Sequence, residues 1–256
     1  MLRYIFTGLM CFLVLVTTAF AAPEASREIL ASKVLGEDRP LNIVLPADYS
    51  PDKTYAVAYV LDGGHRGLPT MAERMQGAHA ELIVVGVENV DRSRDMFPDP
   101  IPARENRGGG GENFLAFLTT ELIPYIESRY ATNGYRVISG QSNSGFFVLY
   151  ALLNATDTFD AYLAGSPMIG WDQDMIHSGT RALLVGKKTF PKTLFMNQGD
   201  DDLDRVTDYL PAYEALLDEV APSDFRWMNE FIEDGGHVPA STYHNGIAFI
   251  FGERQP

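Results

Sequence analysis

The sequence predicts an α/β fold with a largely parallel central sheet and helices on both faces. Three observations predict it. Apolar runs of strand length recur along the chain, helical spacings lie between them, and one strand–helix junction carries a tight turn of small residues around a serine. Strands that are apolar at every position are buried on both faces, and strands alternating with helices pair in parallel through crossovers.

Taken in order, the alternation over residues 41–46 marks a strand, and Pro46-Ala47-Asp48-Tyr49-Ser50-Pro51 marks a turn. Residues 55–61 form a continuous apolar run that stops at Asp62-Gly63-Gly64. Similar runs occupy 82–87, 136–139, 161–164 and 193–197, and 228–232 is strand-like. Helical patterns span 114–129, 145–153, 209–220 and 240–251. Residues 91–111, rich in Arg, Asp, Pro and Gly, fit neither pattern and are too long for an ordinary connector. They follow a strand end, where loops of open α/β sheets line the ligand crevice, so this segment is expected to shape substrate access.

Arg3, an apolar run over 4–16 and the sequence Ala19-Phe20-Ala21 read as a signal peptide cut after Ala21. The expected layout is a leader over 1–21 and a single catalytic domain over 22–256, periplasmic or secreted, with no stable membrane association after cleavage. Cys11, the one cysteine, lies in the leader, so the mature chain has no disulfide, thiolate nucleophile or thiolate metal site. The formal net charge is −14, and loss of Arg3 takes it to −15. A surface this acidic disfavours nucleic acid and anionic membranes as partners and leaves a small-molecule ester open.

The chemistry concentrates in Gly140-Gln141-Ser142-Asn143-Ser144-Gly145, between the strand over 136–139 and the apolar helix. A strand, a sharp turn and a buried helix is how α/β-hydrolases hold a nucleophilic serine, in a strained conformation above the sheet. Neighbours two positions away must be small. Gly140 satisfies this, and Ser144 stands where glycine is usual.

A serine hydroxyl needs a base, and the base needs a carboxylate to orient it, in chain order Ser, acid, His. His177, His237 and His244 follow Ser142, and only His237 sits in a glycine-loosened turn between a strand and the last helix. Asp200, Asp201, Asp202 and Asp204 compete for the acid after the 193–197 strand, with Asp202 favoured by its spacing from Gly199. The backbone N–H groups of Asn143 and Gly64 are the expected oxyanion donors. His65, Trp171 and Arg107 are candidate substrate contacts, Arg107 together with Arg92, Arg94 and Arg104 of the 91–111 loop. No metal or organic cofactor is expected.

Over most of its length the chain resembles an esterase family of α/β-hydrolases. That family includes S-formylglutathione hydrolases, enterochelin and salmochelin trilactone esterases, feruloyl esterases and mycolyltransferases, and the siderophore-esterase branch is the most similar. The resembling stretches are residues 41–49, 59–63, 84–87, 121–127 with Tyr130, 135–142, and 159–167, which ends Gly165-Ser166-Pro167. By this resemblance Ser142 is the nucleophile and His237 the base of an exported serine esterase working through an acyl-enzyme, with a siderophore-type ester as one substrate. Acyl transfer by the same groups and a non-catalytic binding module are the alternatives.

Overall fold

Every residue from Tyr55 to Leu61 and from Leu82 to Val87 is buried, as expected of strands covered on both sides. The computed structural model describes residues 25–252, so the leader and its cleavage site lie outside the described residues. Its strands are β1 (Ser26–Ser32), β2 (Glu37–Val44), β3 (Tyr55–Leu61), β4 (Leu82–Val87), the short β5 (Pro100–Ile101) and β6 (Arg107–Gly108), β7 (Thr132–Gln141), β8 (Ala161–Gly165), β9 (Thr193–Asp201) and β10 (Arg226–Gly236). The helices are α1 (Leu68–Ala78), α2 (Arg92–Asp95), α3 (Gly111–Phe117), α4 (Ile123–Glu127), α5 (Asn143–Asn154), α6 (Gln173–Leu184), α7 (Asp204–Thr207), α8 (Leu210–Val220) and α9 (Thr242–Phe251).

Eight strands form one sheet in the order β1-β2-β4-β3-β7-β8-β9-β10. β1 and β2 pair antiparallel, as do β2 and β4, and every other pairing is parallel. The sheet's alternation sorts side chains into two cores. Tyr55, Val57, Tyr59 and Leu61 pack with α3, α4, α5 and α8 on one face, while Ala56, Ala58 and Val60 meet α1 and α9 on the other. Small residues on the second face let α1 and α9 lie close to the sheet. α5 is buried on all sides through Leu152, which explains why its sequence is apolar without a polar stripe.

The structure adds β1, α1 and α6 to the expected elements and refines others. The helical pattern over 114–129 resolves into α3 and α4 joined by a π-helical turn, Leu118–Leu122. Pro124 lies just beyond it and has no N–H to give to a regular helix, and such turns absorb that break. Within the turn, Glu121 reaches across to the β1–β2 connection, accepting from the backbone N–H of Lys33 at 2.9 Å and from the Ser32 hydroxyl.

The 91–111 segment has structure of its own. It holds α2, capped by Asp91 accepting from the Arg94 N–H at 3.0 Å, and the β5–β6 hairpin. A buried ion network fastens it to β2. Arg39, fully buried, donates to Asp95 Oδ2 at 2.9 Å and to Glu37 Oε1 at 2.5 Å, while Arg94 grips Glu37 and Asp95. Removing one member of such a pair strands the other charge in a dry interior. Asp95→Ala is therefore expected to lower unfolding free energy by about 3–5 kcal/mol in denaturant titrations, and the double variant Arg39→Met/Asp95→Leu to recover most of that loss.

Candidate active site

The serine turn is built by a close crossing of β7 and α5. A Cβ placed on Gly140 would lie 2.6 Å from the Ser144 carbonyl oxygen, so only glycine fits at that point. Ser142 itself has φ 61 and ψ −122, a conformation that L-residues adopt only under constraint. The neighbouring strand and the following helix supply the constraint: the Ser142 N–H donates to the Gly165 carbonyl of β8 at 2.9 Å, and its carbonyl accepts from the Phe146 N–H of α5 at 3.0 Å. Its hydroxyl is thereby lifted off the carboxyl edge of the sheet.

The strands β8, β9 and β10 end at this same edge. Gly199 of β9 and Gly235 of β10 press backbone to backbone, and the β9–β10 register shifts between Ile232 and Gly236. That irregularity turns the chain back over the sheet and carries His237 to Ser142. His237 Nε2 lies 2.8 Å from Ser142 Oγ, and His237 Nδ1 lies 2.5 Å from Asp202 Oδ1. The Asp202 side chain is fully buried. Burial alone would raise its pKa, but hydrogen bonds from His237, Ser166 and the Leu203 N–H outweigh that and hold it below the ordinary 3.8. An ionised carboxylate only accepts, so Nδ1 carries the imidazole proton and Nε2 is free to accept from the serine hydroxyl.

The competing residues go elsewhere. Asp200 accepts from the Asp234 N–H at 3.1 Å, Asp201 is exposed, and Asp204 opens α7. His177 stacks on Tyr213 and His244 approaches the Arg74 carbonyl. One residue beyond the sequence-based set joins the site. Ser166, at φ 41, donates from Oγ to Asp202 Oδ2 at 2.7 Å and accepts from the Val238 N–H at 3.1 Å. It ties Asp202 to the backbone beside His237. Its signal in the sequence is a small polar residue closing an apolar strand, Gly165-Ser166-Pro167.

Asn143 opens α5, where no preceding helical turn offers its N–H a carbonyl. Its side-chain Oδ1 accepts from Trp171 Nε1–H at 2.9 Å, which sets the indole beside the serine turn. Arg205 lies 3.9 Å over the Trp171 ring, and Phe97 meets that ring edge-on. Trp171, Phe97, Phe146, Asp172 and residues 98–102 line a recess of about 130 Å³, so the 91–111 loop does form a wall beside the serine turn. Arg107 contributes to neither this recess nor a second, polar one. That second recess, about 450 Å³, is lined by Arg27, Asp62, Gly64, His65, Arg66, Gly67 and Glu88. His65 is exposed there, with its N–H on Glu88 Oε1 at 3.3 Å. The Gly64 N–H is turned back onto the Asp62 carbonyl at 2.8 Å, so this donor starts engaged rather than open.

Known proteins share this architecture. The family model "Putative esterase" matches residues 32–203. The ferri-bacillibactin esterase BesA of Bacillus subtilis is 32% identical over 212 residues, covering 72% of this chain and 73% of that protein. The crystal structure of an IroE-like serine hydrolase from Shewanella oneidensis superposes with a TM-score of 0.77 at 27% identity, covering 88% of this chain and 79% of that one. Siderophore hydrolase EstA from Aspergillus nidulans shares the fold, with a TM-score of 0.75 at 21% identity over 94% of this chain and 98% of its own. With a strained serine turn at the carboxyl edge of a mostly parallel sheet, the chain belongs to this esterase family of the α/β-hydrolase fold and is a serine ester hydrolase.

Proposed function

We propose that the chain hydrolyses siderophore-type esters through a Ser142–His237–Asp202 triad and an acyl-enzyme. The observation that carries this reading is the unbroken hydrogen-bonded line from Asp202 through His237 to Ser142. Ser142 Oγ attacks the ester carbonyl carbon while His237 Nε2 takes the hydroxyl proton. The tetrahedral oxyanion is held by the Asn143 N–H and by the Gly64 N–H, which leaves its turn bond to meet the new charge. Collapse breaks the bond to the leaving oxygen, which receives the proton from Nε2. Water then attacks the acyl-enzyme with His237 again as base, and collapse breaks the bond to Ser142 Oγ, which regains its proton from Nε2 as the acid product leaves. Asp202 stays ionised throughout and fixes the imidazole's tautomer and direction.

The substrate class is supported by the names of the relatives, an esterase of ferri-bacillibactin among them. An open polar recess lined by Arg27, His65 and Arg66 and a smaller aromatic one lined by Phe97, Phe146 and Trp171 suit a bulky ester with polar and ring portions. Export belongs to the same reading, supported by the leader-like pattern over 1–21.

Replacing the nucleophile removes the whole covalent route, so Ser142→Ala is expected to cut turnover of both a short p-nitrophenyl ester and a catecholate trilactone by at least about 10³-fold. Wild-type turnover in that variant would remove Ser142 from the mechanism, and inertness of the trilactone with the wild-type chain would remove the substrate class. A second expectation follows from the depressed Asp202 pKa. Its stabilisation is complete above the unfolded-state value and is lost as pH falls through the lower folded value. Thermal unfolding midpoints should therefore drop below about pH 4, and Asp202→Asn should flatten that acid limb.

A further inference from the structure

Ser144, the one departure from the common serine-turn pattern, is fully buried and makes a directed bond. Its Oγ donates to Asp62 Oδ2 at 2.6 Å. Asp62 follows β3 directly at φ 60 and precedes Gly63-Gly64, so it belongs to the turn carrying the second oxyanion donor. The same carboxylate is clasped by Arg92, with Nε 2.8 Å from Oδ1 and Nη2 2.7 Å from Oδ2, and Asn89 Nδ2 adds a bond of 2.5 Å to Oδ1. Arg92 Nη2 also lies 3.4 Å from the Gln141 carbonyl and 3.4 Å from Ser144 Oγ. One carboxylate thus joins three segments: the turn after β3, the first turn of α5 and the start of α2. Burial opposes its charge, but Arg92, Ser144 and Asn89 together hold its pKa below the ordinary value. It is therefore an acceptor only, and the Ser144 hydroxyl must be the donor.

The other side of the turn is fixed independently. The Gly63 N–H donates to the Val87 carbonyl at 3.1 Å, its carbonyl accepts from Asn42 Nδ2 at 3.1 Å, and its Cα packs against Gly86 with no room for a side chain. The Gly64 N–H shares a peptide plane with that Gly63 carbonyl and donates to the Asp62 carbonyl at 2.8 Å, while the Gly64 carbonyl accepts from the Gly67 and Leu68 N–H groups at 3.0 Å. Asp62 thus anchors one end of this turn and Asn42 its middle.

We propose that Ser144 is a positioning residue of the ester-hydrolysing reaction, tying Asp62, and with it the turn that carries Gly64, to the first turn of α5 that begins at Asn143. A glycine at 144 would leave the Asp62 carboxylate anchored from the α2 side alone. The inference rests on the triad reading above and adds a residue to it that touches no reacting atom.

The test measures kcat and KM for a short p-nitrophenyl ester, the inhibition constant of a trifluoromethyl ketone, and the melting temperature, for wild type and Ser144→Ala. The ketone forms a tetrahedral adduct on an active serine and so reports oxyanion binding directly. Ser144→Ala is expected to lower kcat on the order of tenfold, less than the 10²–10³ typical of losing a donor outright. KM should stay within about twofold, and the ketone should weaken in proportion to kcat/KM. Asp62→Asn should also lower kcat, and the double variant should lose less than the product of the two single losses. Unchanged kcat and ketone affinity in Ser144→Ala, a change confined to KM and melting temperature, or simple additivity with Asp62→Asn would each overturn the proposal. Ser144→Gly also removes the hydroxyl and gives a second reading of the same loss. An inactive Ser142→Ala beside a fully active Ser144→Ala removes only the positioning role, whereas an active Ser142→Ala removes the triad itself.

Discussion

Where β7 crosses into α5, two backbones come so close that Gly140 can carry no side chain and Ser142 must take φ 61. A non-glycine residue in such a region costs of order 1–3 kcal/mol and persists only where the surroundings over-determine it. Here the surroundings are the buried α5, with Phe146, Phe147, Leu149 and Leu152 inserted into the core, each contributing about 1.5–3 kcal/mol when fully buried. The packing that holds the helix down is the same packing that holds the serine up. Core stability and the placement of Ser142 are one property in this fold.

The remaining groups reach the serine because the strands end together. Asp62 follows β3, Ser142 follows β7, Ser166 follows β8, and Asp202 and His237 follow β9 and β10. Parallel pairing aligns their carboxyl ends, so residues far apart in sequence meet in a single crevice. Charge is handled by hydrogen bonding. Asp202 is buried yet ionised because His237, Ser166 and backbone N–H groups face it, and Asp62 is partly buried yet ionised because Arg92, Ser144 and Asn89 do. The first carboxylate orients the imidazole, and the second ties the neighbouring turn to the helix that begins at the serine.

Much of this was legible in the sequence, for identifiable reasons. Strands buried on both faces have no polar positions, so β3, β4 and β8 stand out as runs, and the serine turn is short and local. His237 was legible because it is the one late histidine in a glycine-rich turn between a strand and a helix. β1 was not, because an edge strand reading Ser-Arg-Glu-Ile-Leu-Ala-Ser is half exposed and mixes polar with apolar residues. α1 and α6 do not stand out because each buries only a narrow face, Leu68, Ala72 and Met75 in the first and Ile176, Thr180 and Leu184 in the second. Among four clustered aspartates, local spacing favoured Asp202, but only the fold separates it from its neighbours. Ser166 and the Ser144–Asp62 bond depend on strands brought side by side, and no local pattern announces them. Ser144 reads in the sequence as a blemish in a motif and in the structure as a hydrogen-bond donor.

The central claim is that the fold activates one serine out of all those in the chain, and covalent labelling tests it most directly. Diisopropyl fluorophosphate added to the folded protein, followed by intact mass and peptide mapping, should give a single adduct on Ser142, and prior acid unfolding should abolish it. Absence of an adduct on the folded chain, or an adduct on another residue with Ser142 unmodified, would contradict the account.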